Sequence, residues 1–146
     1  MTYVFPNRID AGNATWKERA VSDDTAKVRV GTMNSGGRMV MFRCPGCGEN
    51  HGVSVDGPNE KGSKWAWNES VERPTLSPSI LMRTTKMTPA GEAQYRDWMA
   101  GKIPAPAMFD SVAVVCHSFV RDGRIEFLSD CTHSLAGKTV DLEPVT

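Results

Sequence analysis

Phe42-Arg43-Cys44-Pro45-Gly46-Cys47-Gly48 is the stretch on which the reading of this chain turns. Two thiols three residues apart on a Pro/Gly turn have the spacing at which a knuckle offers two sulfurs to one metal ion. Arg38-Met39-Val40-Met41-Phe42 runs into the knuckle as a strand, and Gly52-Val53-Ser54-Val55 alternates with period two, so it returns antiparallel beside residues 38–43. Strand, knuckle and strand together make half of a zinc-ribbon-like site. Backbone amides after each cysteine face its sulfur in such a knuckle, and Gly46 and Gly48 are read as positions that take positive φ. His51, four residues past Cys47, reads as a loop residue, exposed or hydrogen-bonded to the ligands.

Two more cysteines flank a hairpin far along the chain. Val112-Ala113-Val114-Val115-Cys116-His117-Ser118-Phe119-Val120 is the strongest strand pattern present. Asp122-Gly123 is the dipeptide favoured in a two-residue hairpin turn, and Ile125-Glu126-Phe127-Leu128 returns. With that turn, Val120 faces Ile125, Cys116 faces Ser129 and Val114 faces Cys131. Cys116 and Cys131 then share a face as diagonal neighbours about 7 Å apart at the backbone, from which both thiolates reach one tetrahedral ion at about 2.3 Å. The same register turns His117 to the opposite face, near Asp130.

The expectation is therefore one zinc ion held by Cys44, Cys47, Cys116 and Cys131. A one-residue slip would exchange Cys116 for His117, so His117 is a reserve ligand, and His133, two residues past Cys131, is a second. A redox-active Cys44/Cys47 pair and unrelated buried thiols are the competing readings. Structural disulfides would need an oxidising compartment, and no charged-then-apolar export leader is present.

A length of 146 residues suits one domain around a single core. Lys+Arg 17 balances Asp+Glu 17, so the basic footprint of a protein that grips phosphates is missing, and nucleic acid is a poor candidate partner. No apolar run of about 18 residues exists to span a membrane, and a cytoplasmic location is expected.

Tyr3-Val4-Phe5 and Lys27-Val28-Arg29-Val30 read as strands, residues 13–24 as a weak short helix, Asn34-Ser35-Gly36-Gly37 as a turn and residues 56–64 as a surface loop. Trp65-Ala66-Trp67 puts two indoles on one face, as core or, with Arg73 and Arg83 beside them, as a surface for single-stranded nucleic acid. Prolines at 74 and 78 in Arg73-Pro74-Thr75-Leu76-Ser77-Pro78-Ser79-Ile80-Leu81-Met82 cannot donate to a ladder, which predicts an edge strand or extended loop. Thr88-Pro89-Ala90-Gly91-Glu92 has the cap, first-turn proline and acidic residue of a helix start, and Gly101 suits its stop. Tyr95, Trp98 and Met99 form its apolar face. Residues 139–142 alternate as a last strand at a sheet edge. The whole is a mainly β single domain over residues 1–146, with a zinc-ribbon-like knuckle, a β-hairpin and a helical insertion at about 88–101 that could act as a lid or contact surface.

Trp65-Ala66-Trp67-Asn68, the run from Arg73 to Ile80, Cys116-His117-Ser118-Phe119-Val120-Arg121-Asp122-Gly123-Arg124-Ile125 and Asp130-Cys131-Thr132-His133 resemble a family of small phage and prophage proteins of unknown function, often misnamed ammonia monooxygenase. The match covers about residues 40–143. The resemblance implies a phage or prophage origin, in an infected or lysogenic bacterial host, and treats the cysteines as a set. Some of its members lie near genes for bacterial ubiquitin-like conjugation. A membrane-embedded copper enzyme would need apolar spans that this chain lacks.

A closed four-thiolate site has no open position for water or substrate, so the function expected is a non-enzymatic, zinc-stabilised module that binds a host or phage protein. The alternative is a metal-dependent hydrolase with an open zinc position, in which His117, Asp130 and His133 would move protons.

Overall fold

The structure, a computed structural model, describes residues 2–3, 14–15, 25–34, 36–57 and 62–145. Its strands are β1 (Thr2–Tyr3), β2 (Ala14–Thr15), β3 (Arg29–Met33), β4 (Arg38–Arg43), β5 (Asn50–Ser54), β6 (Ala66–Trp67), β7 (Leu76–Met87), β8 (Ser111–Arg121), β9 (Arg124–Phe127) and β10 (Thr139–Asp141), with the helix α1 (Pro89–Met99) between β7 and β8. Val4 and Phe5, and the helix expected over residues 13–24 apart from the strand at Ala14–Thr15, lie outside the described residues.

The chain is mainly β, in two sheets. One is antiparallel, in the order β2-β3-β4-β5; the other runs β1-β7-β8-β9-β10, with β6 also pairing with β7 and β1 lying parallel to β7. As the sequence predicts, β5 returns beside β4, with Phe42 opposite His51. Val40 and Phe42 of β4, Val53 of β5, Leu76, Ile80 and Met82 of β7, Val120 of β8, and Ile125 and Phe127 of β9 bury one face of their strands in a shared core that includes Trp65 and Leu142. Each such side chain contributes about 1.5–3 kcal/mol by leaving water. Trp65 is 0 % exposed and Trp67 lies beneath the Arg38 guanidinium, 5.5 Å from its ring centre, so these indoles are packing residues and not a stacking platform.

Two irregularities interrupt the larger sheet. On β7, Leu76 pairs with Val120 and Ile80 with Ser118, so Ser77, Pro78 and Ser79 stand opposite Phe119 alone. This stretch is not the edge that its prolines predict, because β6 pairs with Leu76 and Ser77 on the other side. The proline is accommodated by a bulge, where the ladder needs no donor from it. The Ser77–Pro78 peptide is cis.

The second irregularity follows the β8–β9 hairpin. Asp122 and Gly123 adopt φ of 50° and 77°, the two-residue turn the sequence predicts, and Val120 faces Ile125. The expected pairing of Cys116 with Ser129 and Val114 with Cys131 does not follow. Cys131 N donates to Leu128 O in a turn, and Thr132 N donates to Val115 O, so the chain leaves the ladder after Leu128 and rejoins it two residues late.

Beyond Arg83 and Val115, β7 and β8 pair only with each other among the described residues, forming a ribbon that ends at α1. The helix starts where predicted: Thr88 Oγ1 accepts from Gly91 N and also bonds the Asp110 carboxylate, and Pro89 opens the first turn. Tyr95 and Trp98 pack against Phe109 with ring centres 5.6 and 5.9 Å away and stay exposed on their outer side. Among the described residues, no helix is long and apolar enough to cross a membrane.

Candidate active site and metal centre

Cys116, Ser118 and Val120 point into the core, so His117 alternates to the outer face of β8. Two segments meet it there, one from each irregularity. Ser79, in the β7 bulge, places Oγ 3.1 Å from His117 Nε2. Asp130, in the turn after β9, places Oδ2 3.1 Å from His117 Nδ1. The His117 side chain is 12 % exposed and Asp130 49 %. A carboxylate can only accept, so Nδ1 carries the proton, and Nε2 is left to accept from the serine hydroxyl. A hydroxyl, a base within reach of it and a third group orienting the base form the arrangement that makes serine a nucleophile.

On the other face of the same strand lies a sulfur-rich cluster. The ligand atoms of Cys44, Cys47, His51 and Cys116 lie within 4.8 Å of one another, and so do those of Cys116, Cys131 and His133. Cys44 Sγ and Cys116 Sγ are 3.7 Å apart. A tetrahedron with metal–sulfur bonds of about 2.3 Å has an edge of about 3.8 Å, so the first group fits and could hold a metal ion. Cys47 Sγ lies 3.1 Å from His51 Nε2.

Packed this closely, the groups of the first set shift one another's ionisation. Hydrogen bonds from Cys116 and Cys44 lower the Cys47 thiol well below its ordinary value, while Cys44 and Cys47 together push Cys116 up. Burial opposes charge on His51, but its hydrogen bonds to Cys44 and Cys47 prevail and hold it up at about 9.

His133 belongs to the surroundings of this cluster. Burial lowers its pKa, and its Nδ1 accepts from Leu135 N at 3.2 Å, so the neutral ring carries its proton on Nε2, 3.5 Å from Cys116 Sγ. A β-carbon on Gly46 would overlap that ring. This corrects the role read for Gly46: of the knuckle glycines only Gly48 has positive φ, at 75°, and Gly46 is small because an imidazole rests against it. Burial also raises the Cys131 thiol.

Residues 14–128 match the protein family described as bacterial ubiquitination-like system serine protease (BubE). The chain belongs to the BubE family. No curated protein and no solved structure matches it. Membership of the BubE family overturns the expectation of a non-enzymatic binding module, since the family is described as one of proteases. That expectation rested on the closure of the sulfur site. A closed site would leave no chemistry at a metal, but says nothing of a hydroxyl on the opposite face of the strand.

Sequence reasoning brought His117 beside Asp130 and missed two residues. The spacing past Cys47 predicts a loop position for His51, but it is a residue of β5 and 0 % exposed. The signal was its position at the start of the returning strand, directly opposite Phe42, where the knuckle closes. Ser79 reads in the sequence only as part of a proline-rich edge or loop. A proline inside a long strand marks a bulge, and bulges re-aim side chains beside active sites.

Proposed function

We propose that the chain is a serine hydrolase in which Ser79 is the nucleophile, His117 the general base and Asp130 the group that orients it. The observation that carries this reading is the continuous path from Ser79 Oγ to His117 Nε2 and from His117 Nδ1 to Asp130 Oδ2, each step 3.1 Å. Ser79 Oγ attacks the carbonyl carbon of an acyl substrate as its proton passes to His117 Nε2. Asp130 stabilises the imidazolium, which then gives that proton to the departing amine or alcohol. Water attacks the acyl-serine ester by the same route in reverse and releases the acid.

The family description supports a protein substrate, and we assign the acyl group to the C-terminal carboxyl of a ubiquitin-like protein, released from a conjugate or a precursor. The metal ion suited to three thiolates and an imidazole is zinc, which Cys44, Cys47, Cys116 and His51 would hold; four protein ligands would leave no position for water or substrate, so its role would be structural. Ser79→Ala should abolish labelling by a fluorophosphonate probe and lower hydrolysis of a ubiquitin-like conjugate about 10⁴-fold or more, with zinc content and Tm unchanged. Equal labelling of the variant and the parent protein would overturn the assignment.

A further inference from the structure

The way Asp130 reaches His117 rests on two side chains that act as backbone. Extending the β8–β9 register past Ser118↔Phe127 sets His117 opposite Leu128, and places Asp130 in the next hydrogen-bonded pair, opposite Val115. Leu128 N does donate to His117 O, at 2.9 Å, but Leu128 O is taken by Cys131 N at 3.2 Å. The His117 N–H donates instead to Cys131 Sγ, and the thiol donates back to His117 O, both at 3.2 Å. One residue on, Thr132 stands where the register puts Asp130. Its N donates to Val115 O at 2.9 Å, and its Oγ1 accepts from Val115 N at 3.0 Å.

A sulfur and a hydroxyl thus complete the ladder of β8, and Ser129 and Asp130 are pushed out of it as surplus. In the ladder, Asp130 would oppose Val115. Outside it, its carboxylate meets the His117 imidazole.

We infer that Cys131 and Thr132 are positioning residues of the hydrolase, whose side chains replace ladder partners of β8 so that Asp130 is held against His117. The inference rests on the serine-hydrolase reading, and it assigns Cys131 to the backbone of His117 and not to the metal. It is tested on zinc-loaded, full-length protein with Cys131→Ala, Cys131→Ser and Thr132→Val. Cys131→Ala should slow fluorophosphonate labelling of Ser79 about ten- to a hundred-fold, as a displacement near 1 Å does. Bound zinc should stay at the parent level, and probe affinity should not change. Cys131→Ser, which keeps a donor and an acceptor, should recover most of the rate.

Thr132 is exposed, and its valine variant keeps the shape, so Thr132→Val should fold normally and still slow labelling. Loss of zinc in Cys131→Ala would identify a ligand instead, and parent-like rates in both Cys131→Ala and Thr132→Val would remove the positioning role. The low-field proton resonance of the His117–Asp130 hydrogen bond, followed in Ser79→Ala protein, separates the two readings. If it shifts or vanishes on adding Cys131→Ala, the positioning stands even where Ser79 proves unreactive.

Discussion

Asp130 is half exposed, and its carboxylate governs which nitrogen of His117 bears a proton. An asparagine there would present an N–H to Nδ1, drive the ring proton to Nε2 and leave the serine without an acceptor. Asp130→Asn should therefore lower kcat by about 10²–10⁴, with the smaller figure reflecting water's access to the site, while KM and Tm stay near parental values. Steady-state kinetics on a ubiquitin-like conjugate checks this, and activity within threefold of the parent would contradict it. At this scale the sequence was only partly legible. His117 and Asp130 could be brought together because they flank one hairpin, whereas Ser79 lies 38 positions from His117 and its approach depends on how many residues the bulge absorbs. No periodicity records that number.

Elements whose signals are local were legible in full. The cap of α1, the Asp122-Gly123 turn and the strands on either side of the knuckle each follow from residues within a few positions of one another. What was not legible is where elements touch. Gly91 looks like a weak position in a helix, where alanine should stabilise by about 1 kcal/mol. A β-carbon there would overlap the Asp110 carbonyl, so the sign reverses. Gly91→Ala should lower Tm and alter the fluorescence of Trp98 as α1 is displaced from the start of β8; a raised Tm would show that the contact yields.

Arg38 joins β4 to two loops through Asp56 at 2.8 Å and Glu69 at 2.7 Å. Its hydrogen bond holds the Asp56 carboxyl below the usual carboxylate range. A native pKa below the unfolded one means that this stabilisation is fully present above about pH 4 and is lost as pH falls through the native value. Solvent screens the pair, so at neutral pH Arg38→Ala should cost less than about 1 kcal/mol. Its acid-unfolding midpoint, followed by circular dichroism, should move to higher pH.

In the whole molecule, the two sheets share their apolar core and the sulfur cluster. Cys44, Cys47 and His51 belong to the β4–β5 end and Cys116 to β8, so an ion held by all four fastens one sheet to the other. Structural zinc contributes about 10–16 kcal/mol in small metal-dependent domains, as much as the entire stability of a typical domain. Stripping the metal with a chelator should lower Tm by more than about 10 °C and abolish activity, although no step of the proposed chemistry uses the ion. Re-addition of zinc should restore both, and an unchanged melting curve after verified metal loss would refute the structural role.

Cys116 and His117 are neighbours on β8, one facing inward and the other outward. Parity therefore couples them. Removing or inserting a single residue between the Asp122-Gly123 turn and Cys116 would swap sulfur and imidazole at one stroke, so β8 itself can change length freely only on the side of Cys116 that runs out toward the tip of the ribbon, where neither group is counted.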